Sequence, residues 1–222
     1  MIDWMVECLA TYKMKNSTFF LSVYLLDKFM ATTNRLLCKT DIHLLGICCM
    51  FMASKHEEIR PMFLDTVQDN IAHNTFTHDE IKKMELEIAN TLNFRLSLVT
   101  PQAYLEWTEV VFSVVNQGTI VKDILKEATQ ASKLALIHYD MIQYTPGELA
   151  MGSIIFAINH LSDNQDELRN PNQHKAQMEQ DIVPGYFDAD RLKEVAEKMA
   201  ELNERHLEIC PEFKNILKFK YE

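Results

Sequence analysis

The chain has 222 residues with Lys+Arg 22 against Asp+Glu 32, a formal net charge of -10, which speaks against a nucleic-acid backbone as its main partner. Hydrophobic residues make up 47% and charged residues 24%, the balance of a chain that buries a real core and not of a disordered or collagen-like one. Gly 5 and Pro 6 are too few for a sheet protein that turns every ~8–12 residues, so the composition calls for long helices. The acidity is uneven: residues 1–97 carry 10 basic and 12 acidic side chains, and residues 98–222 carry 12 and 20.

Apolar residues recur at steps of three and four, as in Trp4, Met5, Cys8, Leu9 and Tyr12, the mark of amphipathic helices. Helices are expected near 2–13, 17–31, 41–55, 61–70 and 78–92, and again near 101–116, 119–139, 146–162, 188–207 and 211–220. Start signals set these bounds: Thr40 before the run 41–55, Thr77 with Glu80 and Thr145 with Glu148 as capping boxes, and Pro101 at a first helical position. Two central segments, LGICCMFMA at 45–53 and LAMGSIIFA at 149–157, align without gaps. They pair Gly46 with Ala150, Cys48 with Gly152, Cys49 with Ser153 and Ala53 with Ala157. A helix that is apolar all round is buried on every side, and small residues admit close neighbours. The expected architecture is therefore all-α: two tandem five-helix domains, 1–97 and 98–222, each around one central buried helix. A polar stretch at 163–180 reads as an insertion within the second.

Five cysteines at 8, 38, 48, 49 and 210 form no C-x-x-C, so reduced thiols and a nuclear or cytoplasmic location are expected. The longest apolar run, 44–53, is too short for a bilayer span of about 20 residues, and no signal peptide is read before it, so no membrane partner is expected. Enzyme signatures fail. His56-Glu57-Glu58-Ile59-Arg60 begins like H-E-x-x-H but places Arg60 where the second zinc ligand belongs, and no phosphate loop or nucleophile elbow is present. No catalytic residue, metal site or cofactor is expected.

Four motifs carry a resemblance. Asp3-Trp4-Met5-Val6-Glu7, the segment LSVYLLDKFM at 21–30 with Asp27, MASKHEEIRP at 52–61, and Lys82-Lys83-Met84-Glu85 stand in order along residues 1–97. The set resembles the N-terminal cyclin box of cell-cycle cyclins of the A, B and E classes. YTPGELAMGSIIFAINHL at 144–161 resembles the C-terminal cyclin box. The resemblance implies a regulatory subunit, not an enzyme, which binds the catalytic subunit of a cyclin-dependent kinase and holds its C-helix and activation loop in place. It assigns kinase contact to Lys55 and Glu85, with Glu57, Glu58 and Ile59 beside them. The second domain has Asn159 at the position matching Lys55, so the contact is expected in the first. It also implies a groove for Arg-x-Leu segments of substrates or inhibitors at Met1, Trp4 and Glu7, with His43 where the family usually offers Gln. Paired cyclin-like domains also occur in general transcription factors and scaffold subunits. The net charge of -10 sets this chain apart from the DNA-binding members of that group.

Overall fold

The computed structural model describes residues 1–115, 119–164, 187–209, 211 and 213–218, and among them every regular element is helical. The chain divides into two compact units whose main bodies are Met1–Thr100 and Pro101–Ile216. The first holds α1 (Ile2–Thr11), α2 (Asn16–Thr32), α3 (Lys39–Glu57), a single turn α4 (Leu64–Thr66) that runs on as a π-helical turn over Val67–Ile71, and α5 (His78–Thr91). The second holds α6 (Pro101–Val115), α7 (Thr119–Ala135), a 3-10 turn at Tyr139–Met141, α8 (Pro146–Asn164) and α9 (Ala189–Ile209), followed by the short α10 (Asn215–Lys218). The polar stretch 163–180 lies, from residue 165 onward, outside the described residues.

Helix α3 is the centre of the first unit: every residue from Leu44 to Ser54 is buried, under α1, α2 and α5. Helix α8 is its counterpart, packed by α6, α7 and α9. All four pairs of small residues are buried, yet they serve different ends. A Cβ on Gly152 would stand 2.4 Å from Val195 Cγ1 and 2.7 Å from its Cβ, so α9 approaches α8 where only glycine fits. A Cβ on Gly46 would meet the Met1 Sδ at 2.6 Å, the mobile end of a flexible side chain. Beside Gly152, the Ser153 hydroxyl is satisfied inside the core: it donates to Ala150 O at 2.7 Å and accepts from Ser132 Oγ at 3.0 Å.

Both expected capping boxes form. Thr77 Oγ1 accepts from the Glu80 N–H at 3.3 Å while Glu80 Oε2 accepts from the Thr77 N–H at 2.8 Å. Thr145 and Glu148 repeat the pattern at 3.3 and 2.7 Å. Other bounds differ from expectation. Helix α3 starts at Lys39, not after Thr40, because Asp41 reaches back to the Cys38 N–H at 3.0 Å. The helix expected over 61–70 starts at Leu64, since the Met62 N–H is taken by Ser54 Oγ at 3.3 Å. Helix α7 stops at Ala135, where His138 turns to extended backbone and its ring meets His206 Nδ1 at 3.1 Å.

Candidate functional site

The last turn of α3 and the face of α5 come together at the surface of the first unit. Lys55 sits in the last turn of α3, where a cation complements the helix dipole. One turn earlier, Phe51 lies beneath it, with Lys55 Nζ 4.0 Å from the ring centroid, a cation–π contact. From α5, Glu85 Oε1 forms an ion pair with Lys55 Nζ. The two side chains stay 38% and 25% exposed, so the pair is fixed in place but open to a partner. Apolar side chains flank it in sequence: Ile59, 91% exposed, just beyond the end of α3, and Leu86, 56% exposed, next to Glu85.

Glu57 and Glu58 diverge. Glu57 Oε1 lies 2.9 Å from His56 Nδ1, and its carbonyl accepts from Lys15 Nζ at 3.1 Å. Glu58 turns to α2. The N-cap position of α2 is Lys15, whose own side chain makes no cap; Glu58 Oε1 supplies it, accepting from the Lys15 N–H at 2.7 Å and from Thr18 Oγ1 at 2.5 Å. A carboxylate at a helix N-terminus satisfies an orphan donor and favours the positive end of the dipole. Of the five residues expected at this surface, Lys55 and Glu85 are joined directly, Ile59 is displayed, Glu57 faces His56, and Glu58 is engaged in holding α2 against the end of α3.

The second expected cluster forms where α1 crosses α3. The Trp4 ring centroid is 5.1 Å from that of His43 at an interplanar angle of 59°, and Met1 lies over Gly46. Glu7 follows Trp4 by one turn of α1. Phe76, which the motifs did not single out, completes the group with its centroid 5.8 Å from His43. Its signal was present: Phe76 precedes the capping box at Thr77, the place from which an apolar residue staples a helix start. Phe51 likewise was legible from its spacing of four to Lys55.

Near these surfaces, burial raises three thiols and one carboxyl above their ordinary values. Burial pushes the Cys8 thiol up to about 12, with the Glu7 charge adding to it, and raises Cys48 and Cys49 further. Burial also pushes the Asp27 carboxyl on α2 up to about 6. Thiols held this high carry little thiolate and are inert packing groups.

Both units are similar to known proteins. A profile of the cyclin N-terminal domain matches residues 1–97, and one of the cyclin C-terminal domain matches residues 104–214. Cyclin-A2-1 of Arabidopsis thaliana is 30% identical over 179 residues, 81% of this chain and 40% of that protein. G2/mitotic-specific cyclin-B1 of Xenopus laevis is 26% identical over 184 residues, 83% of this chain and 44% of that protein. The chain thus spans less than half the length of these relatives. Among solved structures, a viral cyclin from herpesvirus saimiri superposes with a TM-score of 0.69 at 19% identity, over 90% of this chain and 82% of that one. A chain of the CAK complex from Chaetomium thermophilum superposes with a TM-score of 0.60 at 14% identity, over 100% of this chain and 67% of that one.

Proposed function

We propose that this chain, which belongs to the cyclin family, is a regulatory subunit that binds and activates a cyclin-dependent protein kinase and thereby controls cell-cycle progression. The observation that supports this reading best is the ion pair of Lys55 and Glu85, drawn from segments 30 residues apart to one exposed surface, at the positions where the family motifs place kinase contact. In this reading the two side chains hold a strand or helix of the kinase through charge-assisted hydrogen bonds, while Ile59 packs beside them. Glu58 acts from behind by fixing α2 to the end of α3.

Activation follows as a population shift. A lone kinase has to bring its C-helix glutamate to its strand lysine and order its activation loop before the phosphates are aligned. Moving that equilibrium from 1:99 to 99:1 takes a differential binding energy of about 5.5 kcal/mol, within reach of an ordinary interface of ~1,600 Å². The chain contributes contact and no catalytic group. The test is co-purification with a panel of monomeric cyclin-dependent kinases: at least one is retained and gains histone-phosphorylating activity. Retention of none, or retention without gain of activity, favours a scaffold subunit of a larger assembly.

The cluster of Trp4, His43, Met1 and Glu7 fits a docking groove for Arg-x-Leu segments of substrates or inhibitors, the indole giving an apolar wall to the leucine and Glu7 a partner for the arginine. Fluorescence anisotropy of a labelled Arg-x-Leu peptide checks this: Trp4→Ala removes binding, and a wild-type chain that binds no such peptide refutes it.

A further inference from the structure

The second unit carries a cleft at the place where the first carries its ion pair. It has a volume of ≈ 250 Å³ and lies between α8 and α9. Ile155 and Phe156 of α8 and Ala196 and Ala200 of α9 give it an apolar floor, and Asn159, His160, Asn203 and Glu204 stand among its polar walls. Asn159 of α8 is among its lining residues and stands at the sequence position matching Lys55, which in the first unit spans from the central helix to α5 and pairs with Glu85.

Its size and charge define an occupant. The volume lies just under the ~300–1,000 Å³ of pockets that take small molecules and cofactors, a size that suits one bulky side chain. Along α9 the charges are ordered. Lys193 at one end is neutralised by Glu197, with Nζ 3.8 Å from Oε1. Glu204, close to two turns beyond Glu197 at the other end, is exposed and has no ion-pair partner among the described residues. The His160 ring is stacked on Phe156, its centroid 5.4 Å away, faces the buried Glu127 at 3.8 Å, and forms one wall of the cleft. An apolar floor ending at one unneutralised carboxylate is complementary to an apolar side chain with a basic neighbour.

We propose that the α8–α9 cleft is a second docking site, which takes a short peptide segment of a partner protein bearing one bulky apolar side chain adjacent to Lys or Arg. The site goes beyond the kinase surface and does not rest on it, because the two lie in different units and share no residue.

An immobilised array of heptapeptides tests it, each displaying Leu, Met, Phe or Trp next to Lys, Arg, Glu or Asp, probed with the full chain in the absence of any kinase. The expected result is retention on apolar–basic spots, with apolar–acidic spots and basic spots lacking the apolar residue at background. Glu204→Lys, at an exposed position where folding is not at stake, weakens retention roughly tenfold by reversing the end charge. Ala200→Leu, which fills the floor, abolishes it, with circular dichroism showing whether that variant folds. Retention that ignores Glu204→Lys, a preference for acidic spots, or no retained spot at all overturns the proposal.

Discussion

Glu58 caps a helix that begins before it in the chain: its carboxylate accepts the N–H of Lys15 at 2.7 Å, across 43 residues of sequence. A residue that the motif K-H-E-E-I-R marks for a partner is thus committed to its own fold. Removing a helix N-cap costs about 0.5–2 kcal/mol, and Thr18 loses its acceptor as well. Glu58→Ala is expected to lower the thermal midpoint by several degrees, while Glu58→Gln, whose amide oxygen still accepts, recovers part of the loss. Thermal unfolding followed by circular dichroism measures both; an unchanged midpoint in Glu58→Ala contradicts the capping role.

The two central glycines should answer differently to the same methyl group. Gly152→Ala places a Cβ against Val195 Cγ1 and Cβ, atoms of a buried β-branched residue that cannot swing aside, and overpacking of this kind costs about 1–3 kcal/mol. Gly46→Ala meets only the thioether end of Met1, and alanine gains up to about 1 kcal/mol in helix propensity. Differential scanning calorimetry should show a lowered midpoint for Gly152→Ala and a midpoint near wild type for Gly46→Ala. Equal losses in both would mean that Met1 is as fixed as Val195.

A buried histidine pair gives the fold a dependence on acid. His206 Nε2 faces the Phe213 carbonyl at 2.6 Å and therefore carries hydrogen; its Nδ1 then accepts, and His138 Nε2 donates to it at 3.1 Å. Burial, joined by the neighbouring His206, pushes His138 below its usual value, with Asp140 opposing. With a depressed folded-state pKa, stability is fully present above ~6.5, and is lost as the pH falls from there toward the folded value, because the unfolded chain takes the proton first. The slope is at most about 1.4 kcal/mol per pH unit for one proton. His138→Gln, which still donates to His206, should flatten the fall in thermal midpoint between pH 7 and 5. An equally steep fall in that variant places the acid sensitivity elsewhere.

Asp27 works in the opposite direction. Its carboxyl is raised to about 6 by burial, so its contribution is fully present below the unfolded value near 3.9 and is lost as the pH rises through 6. Asp27→Asn keeps the shape and removes the charge. It is expected to stabilise the chain by roughly 1–2 kcal/mol at pH 8, a figure reduced for the partial exposure of the group, and by nothing at pH 4. Urea unfolding at the two pH values measures the difference; destabilisation at pH 8 would show that the carboxylate is held by a favourable contact.

What the sequence disclosed and what it hid divide by distance along the chain. The capping boxes at Thr77 and Thr145 span three residues and were readable as patterns, as were the all-round apolar stretches that became α3 and α8. Lys55 and Glu85 were identified through the motifs around them; their residue types alone describe any solvated helix face. Glu58 with Lys15, 43 residues apart, and His138 with His206, 68 apart, have no local signature, because only the packing of α2 on α3 and the path of the chain after α7 bring them together. The start of α3 was misplaced because a cysteine with no helix-starting signal occupies the cap position, its N–H held by Asp41.

The central claim is that Lys55 and Glu85 form the kinase-docking surface, and titration calorimetry of the chain against the retained monomeric kinase tests it most directly. Truncating one partner of a charge pair that becomes desolvated on docking costs about 2–5 kcal/mol, so Lys55→Ala and Glu85→Ala should each weaken binding by about 30-fold or more. The double variant should lose less than the sum, since the two residues act as one unit. Their helical circular dichroism should match wild type, the pair being partly exposed. Wild-type affinity in both single variants would contradict the account.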